Sequence, residues 1–105
     1  MPVIEIVPQL QSVLEGLGGE TLSQKIALLL SNELRRYLEE CEKEILELEI
    51  EYGMDYQRFK ERLESGELGD EFSYPLEKDA MRWEDLMVEK RHWLDRVRII
   101  EGLIR

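Results

Sequence analysis

Cysteine and histidine are almost missing from this sequence, which has one of each, Cys41 and His92. A single cysteine excludes a disulfide within the chain and a zinc site built from several thiolates, and it suits a reducing compartment. A catalytic pair of serine or cysteine with histidine would have His92 as its only base. Cys41 falls on the apolar stripe of a predicted long helix, where cysteine usually acts as a small hydrophobic residue. We therefore expect no enzymatic activity and no cofactor.

Long apolar runs and loop-forming residues are scarce as well. No apolar run approaches the roughly 20 residues that cross a bilayer. Residues 1–7 carry one acidic and no basic side chain, unlike a secretory signal. Seven glycines and three prolines leave little material for long loops. These absences predict a cytoplasmic protein of mainly regular structure, with no membrane contact.

What the sequence has in abundance is acidic charge, and it is unevenly distributed. The net charge is -10 at pH 7. Residues 1–38 hold three basic and four acidic groups, residues 39–89 hold six and 18, and residues 90–105 hold five and two. An acidic middle repels phosphate backbones and attracts basic proteins. A basic protein is therefore the expected partner and nucleic acid is not, unless the acidic residues merely form a solvated helix face.

The hydrophobic pattern predicts one domain, residues 1–105, with a short strand and four helices. Val3–Val7 is β-branched and ends at Pro8, and a strand this short must pair with another, most economically that of a second copy. The predicted helices cover Gln9–Leu17, Leu22–Tyr52, Tyr56–Glu64 and a last segment from Ser73 or Tyr74 to about Gly102. These divide the chain into a dimerising part (1–21), a long helix (22–52), a short helix and turn (53–74) and a second long helix (75–103).

Helix-capping signals support these bounds. Thr21 is a preferred N-cap residue before the first long helix, and Gly53 is a typical stop after it. Asp55 is placed to cap the short helix. Pro75 suits the first turn of the last helix.

We predict an all-α fold, a long antiparallel helical hairpin that pairs with a second copy into a four-helix arrangement. Each helix of about 30 residues would be about 45 Å long, and its continuous apolar stripe requires a partner helix along that length. The residues expected at the dimer seam are Ile4, Ile6, Ile26, Leu30, Leu34, Tyr37, Cys41, Trp83, Leu86, Trp93 and Val97.

One motif allows a metal-binding alternative. Glu89 and His92 are three residues apart and would share a helix face, as in ferritin-like di-metal sites that use Glu-x-x-His. Lys90 and Arg91 lie between them and would oppose a dication. A metal-binding helical bundle thus remains an alternative, and a solvated helix flank is the simpler interpretation.

The order of elements in Val3–Leu38 resembles that of ribbon–helix–helix dimers, which insert paired strands into the major groove of DNA. That family places a basic or amide side chain at the centre of the strand, where this sequence has Glu5. No lysine or arginine precedes Lys25. The resemblance implies a dimerising topology and, as an alternative function, a DNA-binding regulator.

A second resemblance covers about residues 45–90. It rests on the segment LESGELGDEFSY at 63–74, on YGMDYQRF at 52–59 before it, and on Glu77-Lys78-Asp79 and Trp83-Glu84 after it. These residues resemble a group of small archaeal and bacterial proteins, some described as antitoxin components of toxin–antitoxin pairs. Toxins of this kind are commonly basic ribonucleases. The resemblance therefore implies an inhibitor that covers a basic partner protein.

Aromatic and acidic residues beside the turn at 65–69 are the candidate contacts for such a partner, because aromatic side chains often anchor protein interfaces. Alternatively, the aromatics hold the short helix against the end of the hairpin. The candidate partner-binding residues are Tyr56, Phe59, Glu67, Asp70, Glu71, Phe72 and Tyr74.

Overall fold

A computed structural model describes residues 5–69 and 73–104, which form four α-helices. They are α1 (Pro8–Glu15), α2 (Leu22–Tyr52), α3 (Tyr56–Glu64) and α4 (Tyr74–Ile104). The two 31-residue helices α2 and α4 pack against each other as the predicted hairpin. None of these helices, within the part of the chain that the structure describes, is long and apolar enough to cross a membrane.

The bounds of α2 and α3 agree with the predictions because the capping residues act locally, whereas α1 ends at Glu15, two residues before the predicted Leu17. The hydroxyl of Thr21 accepts a hydrogen bond from the Gln24 backbone N–H at 3.1 Å, and the Thr21 backbone N–H donates to Oε1 of the Gln24 side chain, forming a capping box. Asp55 caps α3 by accepting from the Arg58 N–H at 2.9 Å. Gly53 ends α2 in the left-handed conformation, φ +69°, which favours glycine.

The predicted strand at Val3–Val7 is not formed over its described part. Glu5–Val7 has no regular structure, and Val7 is instead the N-cap of α1, which starts one residue earlier than predicted because Pro8 suits a first helical turn. Val3 and Ile4 lie outside the described residues. β-branched residues favour a strand only where another strand is available to pair.

The antiparallel arrangement is fixed at both ends by contacts between side chains. Near the hairpin turn, the hydroxyl of Tyr52 in α2 donates to the carboxylate of Asp79 in α4 at 2.5 Å. Towards the far end, Arg35 in α2 pairs with Glu101 in α4. The molecule is consequently elongated, 60 Å long and about 25 Å across.

The core lies where α3 closes the hairpin. Trp83, Phe59 and Leu86 are fully buried there. The Phe59 ring lies 4.7 Å from that of Trp83 and 4.8 Å from that of Tyr52, so an aromatic cluster holds α3 to both long helices. The buried residues of this cluster are Cys41, Ile45, Leu48, Phe59, Leu76, Trp83 and Leu86.

The predicted dimer seam is largely the interior of one chain. Trp83 and Leu86 are fully buried in a single copy, as Cys41 and Val97 nearly are, so none of these can join two copies. The predicted pairing is wrong for them because the hairpin itself covers their stripe. Tyr37 and Trp93 likewise pair across α2 and α4, with ring centroids 5.1 Å apart. Ile6, Ile26 and Leu34 are half-buried, Leu30 is exposed, and Ile4 lies outside the described residues.

Two glycines with equally open surroundings should respond oppositely to alanine. A Cβ atom at Gly53 or at Gly102 would meet nothing within 4 Å, but Gly53 has φ +69° whereas Gly102 lies within α4. We expect Gly53→Ala to lower the free energy of unfolding by about 1 kcal/mol and Gly102→Ala to raise it by about 0.5 kcal/mol. Urea unfolding of both variants measures this difference, and equal shifts would contradict it.

Candidate partner-binding surfaces

An open groove lies on one side of the hairpin, between α2 and α4. It has a volume of about 530 Å³ and is called here the acidic groove. Four of its glutamates are spaced four, three and four residues apart, which places them on one face of α2. Its lining residues are Glu40, Lys43, Glu44, Glu47, Leu48, Glu51 and Arg82.

The acidic groove continues towards the far end of the hairpin. A second depression of about 220 Å³ shares Glu40, Glu44 and Arg82 with it and reaches the paired rings of Tyr37 and Trp93. The same side of the molecule therefore presents a row of carboxylates that ends at an aromatic pair.

The charges in the acidic groove are only partly neutralised. Arg82 donates from Nε at 3.0 Å and from Nη2 at 2.6 Å to one oxygen of Glu44, and its Nη1 lies 3.9 Å from Glu89. This contact with Glu44 raises the pKa of Arg82 above its usual range, so it stays charged. Among residues 5–69 and 73–104, Glu40, Glu47 and Glu51 have no hydrogen-bonded or ion-pair partner for their side chains. Lys43 lies on the same face and offsets part of their charge, so a net negative charge faces solvent.

Cys41 lines the second depression and is not a reactive thiol. Its side chain is buried, and its Sγ donates to Oε2 of Glu89 at 3.5 Å. Burial, and then the nearby Glu89, raise the pKa of the Cys41 thiol above its usual range. The reactive thiolate is therefore disfavoured, as expected for a cysteine that fills space in a core.

The structure does not assemble a metal site around Glu89 and His92. The carboxylate of Glu89 contacts Cys41 and Arg82, whereas the His92 ring contacts Arg96 and packs against Trp93 at 5.1 Å. Within the described ranges, no group of three or more His, Cys, Asp or Glu side chains could hold a metal ion. Arg82 beside Glu89 and Arg96 beside His92 oppose a dication in a single copy. The ferritin-like alternative, which would draw its ligands from two copies, stays a prediction.

The predicted partner-binding residues are divided between core and surface. Phe59 is fully buried and cannot contact a partner, a correction to the prediction, because its ring forms the base on which α3 packs. Tyr56 is half-buried and lies 5.7 Å from the Trp83 ring. Tyr74 is 76% exposed. Glu67 is exposed and lies 3.6 Å from Arg62. Asp70, Glu71 and Phe72 lie outside the described residues.

A shallow groove of about 300 Å³ lies beside Tyr56, between α3 and α4. Its floor is apolar, and Glu64, Glu77, Glu84 and Lys60 surround it. A partner that binds at this end of the hairpin would therefore meet three acidic side chains and one basic side chain around an apolar floor.

The acidic groove was not among the sites predicted from the sequence. The spacing of Glu40, Glu44, Glu47 and Glu51 was visible and could have indicated a common face. The sequence does not show which of these glutamates forms an ion pair. Arg82 comes from another helix, and among these four it pairs with Glu44 alone.

Comparison of the chain with protein-family models, with curated proteins and with solved structures finds no match. The function must therefore be argued from the residues of this chain.

Proposed function

We propose that this protein is a binding module that inhibits a basic partner protein, in the manner of an antitoxin, by covering the partner's basic surface with the acidic groove. The observation that carries the proposal is the row of Glu40, Glu47 and Glu51, three carboxylates without a partner among the described residues, on one face of a rigid helix. A ribonuclease must itself present basic side chains to bind RNA phosphates. An acidic surface competes with RNA for those side chains.

The row of carboxylates in the acidic groove suits fast and selective electrostatic association with a partner more than binding through apolar contacts. Like charges along one face attract an oppositely charged partner over several ångströms, which raises the association rate and rejects acidic proteins. The aromatic pair of Tyr37 and Trp93, at the end of the groove, offers a place for an apolar anchor of the partner, since Arg36 and Arg96 of this chain already lie over the two rings. The rigid hairpin avoids the entropic cost of ordering a flexible segment on binding.

A pull-down from the native host tests the proposal. The tagged protein is incubated with nuclease-treated lysate, washed at low salt and eluted with rising salt, and the eluate is quantified by mass spectrometry. We expect one basic protein in stoichiometric amount, released by salt because the contact is electrostatic. The purified partner should lose its RNA-cleaving activity when mixed with this protein.

Three results would oppose the proposal. Recovery of the bait alone would remove its support. If a partner were retained and salt did not release it, the contact would not be the electrostatic one proposed for the acidic groove. Salt-sensitive binding of duplex DNA, or iron or manganese detected by elemental analysis and lost in His92→Ala, would favour the DNA-binding or metal-binding alternative.

A further inference from the structure

The N-terminal part of the molecule exposes large apolar side chains. α1 buries none of its residues. Six leucines and valines of α1, the loop after it and the start of α2 are 41–63% exposed. We call them the N-terminal apolar surface: Leu10, Val13, Leu17, Leu22, Leu29 and Leu30. Exposed apolar surface of this extent commonly marks an interaction site.

This surface contains a groove of about 560 Å³ between α1 and α2. Its lining includes Leu10, Val13 and Leu17 on one side and Ile26 and Leu29 on the other. Among the described residues that line it, Glu5 is the one charged side chain, so the groove offers almost nothing to a polar ligand.

A side-chain contact joins the segment after α1 to α2. The Lys25 side chain of α2 donates to the carbonyl oxygen of Leu17 at 2.5 Å, and the Thr21 capping box fixes the turn that follows. The groove is present in the single chain. α1 has eight residues and is about 12 Å long.

Charge indicates which occupant fits. The chain carries -10, yet residues 1–38 hold three basic and four acidic groups. Two copies repel each other through their acidic middles, and a contact through the N-terminal apolar surface keeps those middles apart. A basic partner is drawn to the acidic groove instead. A two-fold interface also needs a surface that complements itself, and this one supplies both a groove and an exposed amphipathic helix.

We infer that the N-terminal apolar surface is the interface of a two-fold homodimer, in which α1 of each copy lies in the groove of the other. This inference does not rest on the proposed function. It keeps the predicted dimerising part, residues 1–21, and the seam residues Ile26 and Leu30, and it leaves out the seam residues that lie inside the hairpin. The acidic grooves stay outside the interface in each copy.

The interface has a distinctive dependence on salt. Salt screens the repulsion between two acidic copies and leaves apolar contact intact, so the dimer should become tighter as salt rises. Capture of a basic partner should weaken under the same change. The two contacts can thus be told apart in one titration.

Sedimentation equilibrium of the full chain, at about 1 to 200 µM and at about 50 and 500 mM salt, tests the inference. The informative variant is Leu10→Glu with Leu29→Glu, both exposed positions of the surface. The matched control is Leu46→Glu with Ile50→Glu, 54% and 73% exposed on α2 outside the groove. Far-UV circular dichroism checks that both variants remain helical.

We expect a wild-type dimer that tightens with salt, a control that behaves like wild type, and a loss of about 100-fold or more in affinity for the informative variant, since each change occurs twice in the dimer. A wild-type monomer throughout would overturn the inference. So would a dimer broken by the control and not by Leu10→Glu with Leu29→Glu. If the informative variant loses a captured partner while wild type is monomeric, the surface belongs to that partner.

Discussion

Replacing Trp83 with alanine is expected to lower the free energy of unfolding by about 3 to 5 kcal/mol. Trp83 is fully buried, and its ring lies 4.7 Å from Phe59 and 5.9 Å from Tyr52. Its removal would leave a large cavity where α3 meets both long helices. Small domains have about 5 to 15 kcal/mol of stability in total, so this variant should lose a large share of its stability.

Urea unfolding followed by circular dichroism measures the effect. Tyr74→Ala is the control, because it removes another aromatic ring that is 76% exposed, and it should change the stability by less than about 0.5 kcal/mol. Similar small losses in both variants would mean that the aromatic cluster does not hold the hairpin together.

The second large effect concerns the acidic groove. We expect Glu40, Glu47 and Glu51, changed together to glutamine, to weaken binding of the captured basic partner by about 30-fold or more, from three attractions of somewhat under 1 kcal/mol each. Glu44 is kept because it pairs with Arg82. Isothermal titration calorimetry at low salt measures the affinity.

A matched variant on the same helix separates position from net charge. Glu39, Glu42 and Glu49 lie on α2 outside the lining of the acidic groove, and changing them to glutamine removes the same amount of charge. We expect this control to bind nearly as well as wild type. Far-UV circular dichroism of both variants checks that a loss of binding does not come from misfolding. If both variants weakened partner binding equally, the loss would reflect the net charge of the protein and not the position of the carboxylates in the acidic groove.

The helix bounds could be predicted because they depend on nearby residues. Thr21 with Gln24, Asp55 with Arg58, and the left-handed Gly53 each act within one turn of the helix end, so the sequence contains the information directly. The strand at Val3–Val7 was predicted from the same kind of pattern and failed over Glu5–Val7. A strand needs a neighbour, which a local pattern cannot supply.

The prediction that the apolar stripes are buried is confirmed for Cys41, Trp83, Leu86 and Val97 and is wrong for Leu30, which is exposed. Which surface covers the buried residues was not predicted. The spacing of Trp83, Leu86 and Val97 shows that they share a face, and both a hairpin and a dimer would satisfy that pattern. The candidate site was limited in the same way. Glu44 is paired with Arg82, whereas Glu40 and Glu47 are unpaired among the described residues. This difference depends on the position of Arg82, which is determined by the packing of α2 against α4.

The elongated shape of the hairpin has a consequence for how the molecule behaves in solution. Its radius of gyration is 20.0 Å, whereas a compact chain of 105 residues would have about 13 Å. A radius of 20.0 Å is that of a compact protein of roughly 330 residues. A single copy should therefore diffuse slowly and leave a size-exclusion column early, at a position normally taken by an oligomer. Small-angle X-ray scattering would show the signature of a rod in its pair-distance distribution, with a maximum at short distance and a long tail.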